Sequence, residues 1–199
     1  MEKKLGFSAV LTSQVTILLL GLGALQFAAI DWQWWGFSAG MDLLLAVLAA
    51  LLTYGTIYLM YRHGGRFAAT LLADVQKITV HFADYSWAKI ACVALLAGVG
   101  EELLFRIALQ SWLANHVAIY LAIFAPALVF GLLHFLSWSY FIAATVMGLL
   151  FGIVYHLTQS AMLVIVWHAV YDLIALGVMI KYPQLLGLPP RVTNNYFLS

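Results

Sequence analysis

Glu101 and Glu102 stand side by side in the apolar run from Trp87 to Leu113, with Arg106 following on the same segment. A second apolar run carries Phe130 and His134, and a third carries His168 and Asp172. An uncompensated ion at the centre of a bilayer is costly, so such residues face a polar interior and have a purpose there. Carboxylates and imidazoles gathered in one pocket can hold a water molecule, take its proton and stabilise a developing negative charge. That combination is the equipment of hydrolysis.

Helical spacing sorts these groups further. Residues four apart share a helix face, so Glu102 faces Arg106, Phe130 lies beside His134, and His168 lies one turn from Asp172. Adjacent residues are turned by about 100 degrees, which points Glu101 away from the Glu102–Arg106 pair and leaves it available to another helix. At about 1.5 Å per residue, Glu101 and His168 come to similar depths in a bilayer. His134 comes out shallower, close to Ser137, unless the turn from Ser137 to Tyr140 is recessed into the protein, which is tolerated where irregular backbone is shielded from lipid.

The elements that must position these groups are read from composition. The chain has 199 residues, is 65% hydrophobic and 9% charged, and has a mean hydropathy of +0.99. Repeated stretches of about 20 apolar residues, each enough to cross hydrocarbon, predict an all-α polytopic membrane helix bundle forming a single integral membrane domain over residues 1–199. The expected spans, about six, are Gly6 to Ile30, Gly36 to Tyr61, Trp87 to Leu113, Val117 to Leu136, Trp138 to Leu157 and Ala161 to Lys181. The first of these reads as an uncleaved span rather than a signal peptide, being long and without an A-x-A site. Arg62 to Ser86 is the one long polar connection. Its Phe67, Leu71, Leu72, Val75 and Ile78 recur at helical spacing, which fits an interfacial amphipathic helix and equally an extension of a neighbouring helix.

Lys3, Lys4, Arg62, Arg66, Lys77, Lys89, Lys181 and Arg191 all fall on one side of this arrangement. The opposite loops contain no Lys or Arg, so the positive-inside rule expects both termini in the cytoplasm of a multi-pass cell-membrane protein. Trp32, Trp34 and Trp35 suit interfacial anchoring on the outer side, and Trp87 and Trp138 on the inner. Gly148 and Gly152 form a GxxxG, the pattern of a close helix contact. A net charge of +1 offers no basis for nucleic-acid binding, and the lone Cys92 excludes an intrachain disulfide framework. His63, His81, His116 and His156 fall at loops, interfaces or helix ends, and Tyr171 and Trp167 border the expected cavity.

The segments Glu101-Glu102-Leu103-Leu104-Phe105-Arg106, Phe130-Gly131-Leu132-Leu133-His134 and His168-Ala169-Val170-Tyr171-Asp172 resemble the EExxxR, FxxxH and HxxxN/D motifs of the CPBP intramembrane protease family, which includes the type II CAAX prenyl endopeptidases and the Abi proteins. Each motif is weak alone; in this order, on separate apolar helices, they are specific. The resemblance spans residues 87–181 as a family-like catalytic core. It implies Glu101 as the general base for a water held with His134, Glu102 in the same motif, and His168 and Asp172 orienting the water or stabilising the oxyanion. Helical spacing instead gives Glu102 a supporting role with Arg106. Asp172 stands where the prenyl proteases carry Asn; ionised, it cannot donate a hydrogen bond to an oxyanion, so it orients His168 or acts while protonated.

The resemblance therefore implies a membrane peptidase acting on a membrane-associated or hydrophobic peptide, with lipid as its surroundings. Two histidines and up to three carboxylates are also compatible with zinc, although no HExxH is present and the prenyl endopeptidases imply a metal-free glutamate mechanism. A non-catalytic Abi-type scaffold or immunity protein is the first alternative. A proton or metal transporter ranks below it, because the first two spans offer few polar residues for a continuous path.

Overall fold

The computed structural model describes residues 6–28 and 30–188, so Lys3, Lys4 and Arg191 lie outside the described residues. Helices make up the architecture of these residues, with one isolated parallel bridge between Gln33 and Ser160. In chain order they are α1 (Phe7–Ala28), α2 (Ala39–His63), α3 (Gly65–Thr79), α4 (Trp87–Glu102), a π-helical segment (Leu103–Gln110), α5 (Ser111–Ala114), α6 (Ile119–Leu133), α7 (Trp138–Thr158) and α8 (Ala161–Lys181). A short 3-10 turn, Pro183–Leu186, follows. Serine begins several of them in the same way: the hydroxyls of Ser38, Ser86, Ser137 and Ser160 accept a backbone N–H of the first turn, satisfying donors that a helix start leaves open.

The chain is a multi-pass helical membrane protein. Helices α1, α2, α7 and α8 are each long and apolar enough to cross a bilayer, and large apolar side chains such as Leu52, Leu133, Trp138 and Leu157 stand exposed where lipid would meet them. Two expected spans differ from their outlines. The third is not one uniform α-helix: after Glu102 it passes into the π-helical segment, then α5. The fourth is a helix of 15 residues, about 22 Å long, shorter than the roughly 30 Å of hydrocarbon. It stops at Leu133, and the irregular stretch before α7 is Phe135 to Ser137 rather than Ser137 to Tyr140.

Close approach sets the frame around the polar residues. Helix α4 packs against α8 and α1, and α6 packs against α7. A Cβ added to Gly98 would come 2.8 Å from both the backbone N and the Cβ of Ala169, so only glycine allows α4 and α8 to meet at this height. The GxxxG is a contact surface as expected: Gly148 lies against Ala127 of α6, and Gly152 against Ile123 of α6 and Gln110 of the π-helical segment. Trp167 donates its Nε1 proton to Thr53 Oγ1 at 3.1 Å and packs edge-on against Phe151, which ties α8 to α2 and α7.

The polar connection is a helix in its own right. Gly65, at φ 63, breaks it from α2, and it turns Ala68, Leu71 and Asp74 inward while Lys77 points out. Its buried Asp74 sits against α7: the Ser137 hydroxyl, the main cause, holds the Asp74 carboxyl below its ordinary value against the upward push of burial, and Lys77 Nζ at 3.0 Å lowers it further. Ser137 thus accepts from the Tyr140 N–H while its hydroxyl lies near enough to Asp74 to lower that carboxyl's pKa. In this way α3 braces the turn that follows His134.

Candidate active site

The third expected span delivers its two carboxylates in different directions, as helical spacing requires. Glu101 lines a cavity of about 270 Å³, while Glu102, Arg106 and Gln110 stand behind that wall. His134 from α6 and His168 and Asp172 from α8 line the same cavity. Three separate segments therefore do bring acid and imidazole groups together.

Glu102 is fully buried, and its Oε2 lies 3.3 Å from Arg106 Nε. Arg106, 1% exposed, also donates from Nη2 to the Gly148 carbonyl at 3.2 Å, and its guanidinium lies over the rings of Phe130 and Phe151 at 4.7 and 5.4 Å. Aromatic faces stabilise a desolvated cation, and the paired carboxylate neutralises it. One further turn along, Gln110 Nε2 donates to the Gly152 carbonyl at 2.8 Å. The π-helical segment is what stacks Arg106 and Gln110 in register with two glycine carbonyls of α7; such segments recur at functional sites.

His168 joins this hidden layer to the cavity. Its Nδ1 proton is donated to Glu102 Oε1 at 2.7 Å, and its ring stacks on Phe151 with centroids 5.0 Å apart. The other nitrogen, Nε2, lies 4.0 Å from Glu101 Oε2 and 3.6 Å from Asp172 Oδ2. His134, which caps the end of α6, donates its Nδ1 proton to the Phe130 carbonyl at 2.8 Å, a carbonyl that also accepts the His134 backbone N–H. A carbonyl only accepts, so this bond fixes the tautomer and leaves Nε2 with a lone pair, 3.8 Å from Glu101 Oε2. Phe130 stacks on His134 with centroids 4.4 Å apart and holds the ring there.

Glu101 Oε2 is buried and has no hydrogen-bond partner among the described residues. The gaps to the two Nε2 atoms are too long for direct bonds and short enough for a single molecule seated to one side. All the groups facing that point are acceptors when the imidazoles are neutral, which is the environment a water's two protons satisfy. Zinc is not favoured by the geometry: among the described residues no group of three or more His, Cys, Asp or Glu side chains is placed to hold a metal ion. No step below passes through a metal.

Several contributors were invisible in the motifs. Phe151 and the carbonyls of Gly148 and Gly152 emerge only when α7 is placed, although the GxxxG pointed to that surface. Gln14, Tyr61 and Tyr140 also line the cavity, as Tyr171 does, whereas Trp167 is a packing group.

A polytopic helix bundle enclosing a carboxylate–imidazole cluster beside a cavity defines a membrane-embedded polar site. Residues 83–174, just under half of the chain, match the family described as type II CAAX prenyl endopeptidase Rce1-like, and this segment contains Glu101, Glu102, Arg106, Phe130, His134, His168 and Asp172. The resemblance seen in the three motifs is thereby borne out: this segment is similar to the CAAX protease family, a similarity that points to a peptidase in general terms. No curated protein and no solved structure matches the chain.

Proposed function

We propose that the protein is an intramembrane endopeptidase in which Glu101 activates a water molecule for attack on a peptide carbonyl. The observation that carries this reading is the unpartnered Glu101 oxygen, 3.8 Å and 4.0 Å from two imidazole nitrogens on the cavity wall. A water seated between them donates one proton towards Glu101 as its oxygen bonds to the carbonyl carbon. The proton then passes to the leaving amine as the C–N bond breaks. His134, with its tautomer set by Phe130, holds the water. His168, held by Glu102, turns its Nε2 towards the oxyanion with Asp172 beside it, and donates to the developing charge when that nitrogen carries a proton. Glu102 and Arg106 fix His168 without reaching the cavity, so both are positioning residues in this reading.

The substrate is a membrane-associated or hydrophobic peptide, entering from the end of the bundle that carries Lys77, Lys89 and Lys181. By the positive-inside rule that end faces the cytoplasm of the cell membrane. The test is a panel of fluorogenic hydrophobic and prenylated CAAX-tailed peptides presented to purified protein in liposomes. Cleavage by the natural chain and none by Glu101→Gln, with an unchanged melting profile, supports the assignment. Undiminished cleavage by that variant removes Glu101 as base.

A further inference from the structure

The polar residues of α1 lie outside the segment that matches the family, and they do not behave alike. The Ser13 hydroxyl donates to the Val10 carbonyl at 2.7 Å and the Thr16 hydroxyl to the Thr12 carbonyl at 2.8 Å, so both are satisfied within their own helix. Gln14 is not. Its Oε1 is buried with no hydrogen-bond partner among the described residues, and its side chain lines the cavity that Glu101, His134 and His168 share. A bare amide oxygen in a membrane span is costly; Gln110 Oε1 is also without a partner among the described residues, but of the two only Gln14 lines the cavity.

The height of Gln14 is fixed by neighbouring contacts. Helices α1 and α4 run in the same direction, with Leu18 against Gly100 and Gly21 against Leu103. Gln14, four residues before Leu18, therefore lies about five residues, roughly 7.5 Å, from the level of Glu101 towards the end where α4 begins. A group at that offset faces neither the water nor the carbonyl under attack. It faces the chain to one side of the scissile bond, about two residues along an extended peptide.

We propose that Gln14 is a substrate-binding residue whose amide oxygen accepts a backbone N–H of the peptide about two residues from the bond that Glu101 attacks. A side-chain amide can accept the N–H and donate to the C=O of one residue, as a neighbouring strand would, so it holds an extended peptide by its main chain regardless of side chains. Such pairing keeps the substrate extended across the cavity and sets its register against Glu101. The proposal rests on the peptidase reading above and specifies how that site grips its substrate.

The experiment uses the peptide from the panel that the natural protein cleaves fastest, together with analogues in which each backbone N–H flanking the scissile bond is replaced in turn by an ester oxygen. For the natural protein, one of these replacements raises KM by about tenfold, the worth of one good hydrogen bond, with little change in kcat. Gln14→Met, similar in length and suited to a membrane helix, raises KM for the all-amide peptide by about the same factor and abolishes the penalty at that one position. A variant whose KM is unchanged, or which still discriminates at every ester position, overturns the proposal and leaves the peptidase reading intact. Absence of cleavage by the natural protein is a different failure: the peptidase reading falls and takes this proposal with it.

Discussion

The two flanks of one helix, at Glu101 and at Glu102, use the same side chain for opposite ends. On the hidden flank Glu102, Arg106 and Gln110 are buried behind the cavity wall, each with a charged or backbone partner supplied by the fold. On the open flank Glu101, His134, His168 and Asp172 approach one another without direct bonds among them, at 3.6 to 4.0 Å. Fixed partners make a scaffold, and unmet groups at that spacing make a place for something else. Only His168 belongs to both flanks.

The comparison is broken most severely by removing the open flank's acid. Glu101→Gln is expected to lower the rate of peptide cleavage by about 10²–10⁴-fold, measured in liposomes, while thermal stability in detergent stays close to that of the natural chain. The hidden flank answers in the reverse sense. Arg106→Ala leaves the Glu102 charge buried and unpaired and should destabilise the fold by about 3–5 kcal/mol, read as a lowered melting temperature, with part recovered when Glu102→Gln is added.

Smaller effects come from the frame. Gly98→Ala forces α4 and α8 apart against backbone that cannot yield, at a cost of about 1–3 kcal/mol, and should reduce cleavage more than melting temperature because Glu101 and His168 sit on those two helices. The smallest is the brace below His134. The Asp74 carboxyl is held below its ordinary value, so it binds a proton less readily folded than unfolded; its stabilisation is present above about pH 4 and is lost as pH falls through the lowered value. In melts run from about pH 6 down to about pH 3, the natural protein should lose its advantage over Asp74→Asn as the pH drops, and a constant difference would remove Asp74 from this role.

Much of this was legible in the residues because the bilayer makes polar groups conspicuous. Glu101, Glu102, Arg106, His134, His168 and Asp172 stood out against apolar runs, and spacing alone separated Glu101 from the Glu102–Arg106 pair. The mismatch in depth at His134 pointed to a recessed turn at Ser137 to Tyr140; the irregular turn lies at Phe135 to Ser137 and is not recessed, Phe135, Leu136 and Trp138 being exposed, and α6 is shorter than its apolar run because that run continues through the turn. Hydropathy measures composition, not where hydrogen bonding stops. The change to π-helix after Glu102 was illegible for a related reason: it depends on Arg106 and Gln110 reaching the carbonyls of Gly148 and Gly152, partners some 40 residues away. Gln14 was passed over because one amide in an apolar span has no motif, and its significance appears only once its oxygen is seen to lack a partner.

The brevity of α6 also joins the site to its solvent. A helix of about 22 Å in a bilayer of roughly 30 Å, extended at this end only by Phe135 and Leu136 of the turn, is short enough for lipid to respond by thinning locally, at a modest cost for each ångström. His134 closes that flank, so the dimple forms beside the imidazole that faces Glu101. Acyl-chain length thereby becomes a variable of the site itself, acting through the geometry of a single helix with no ligand bound.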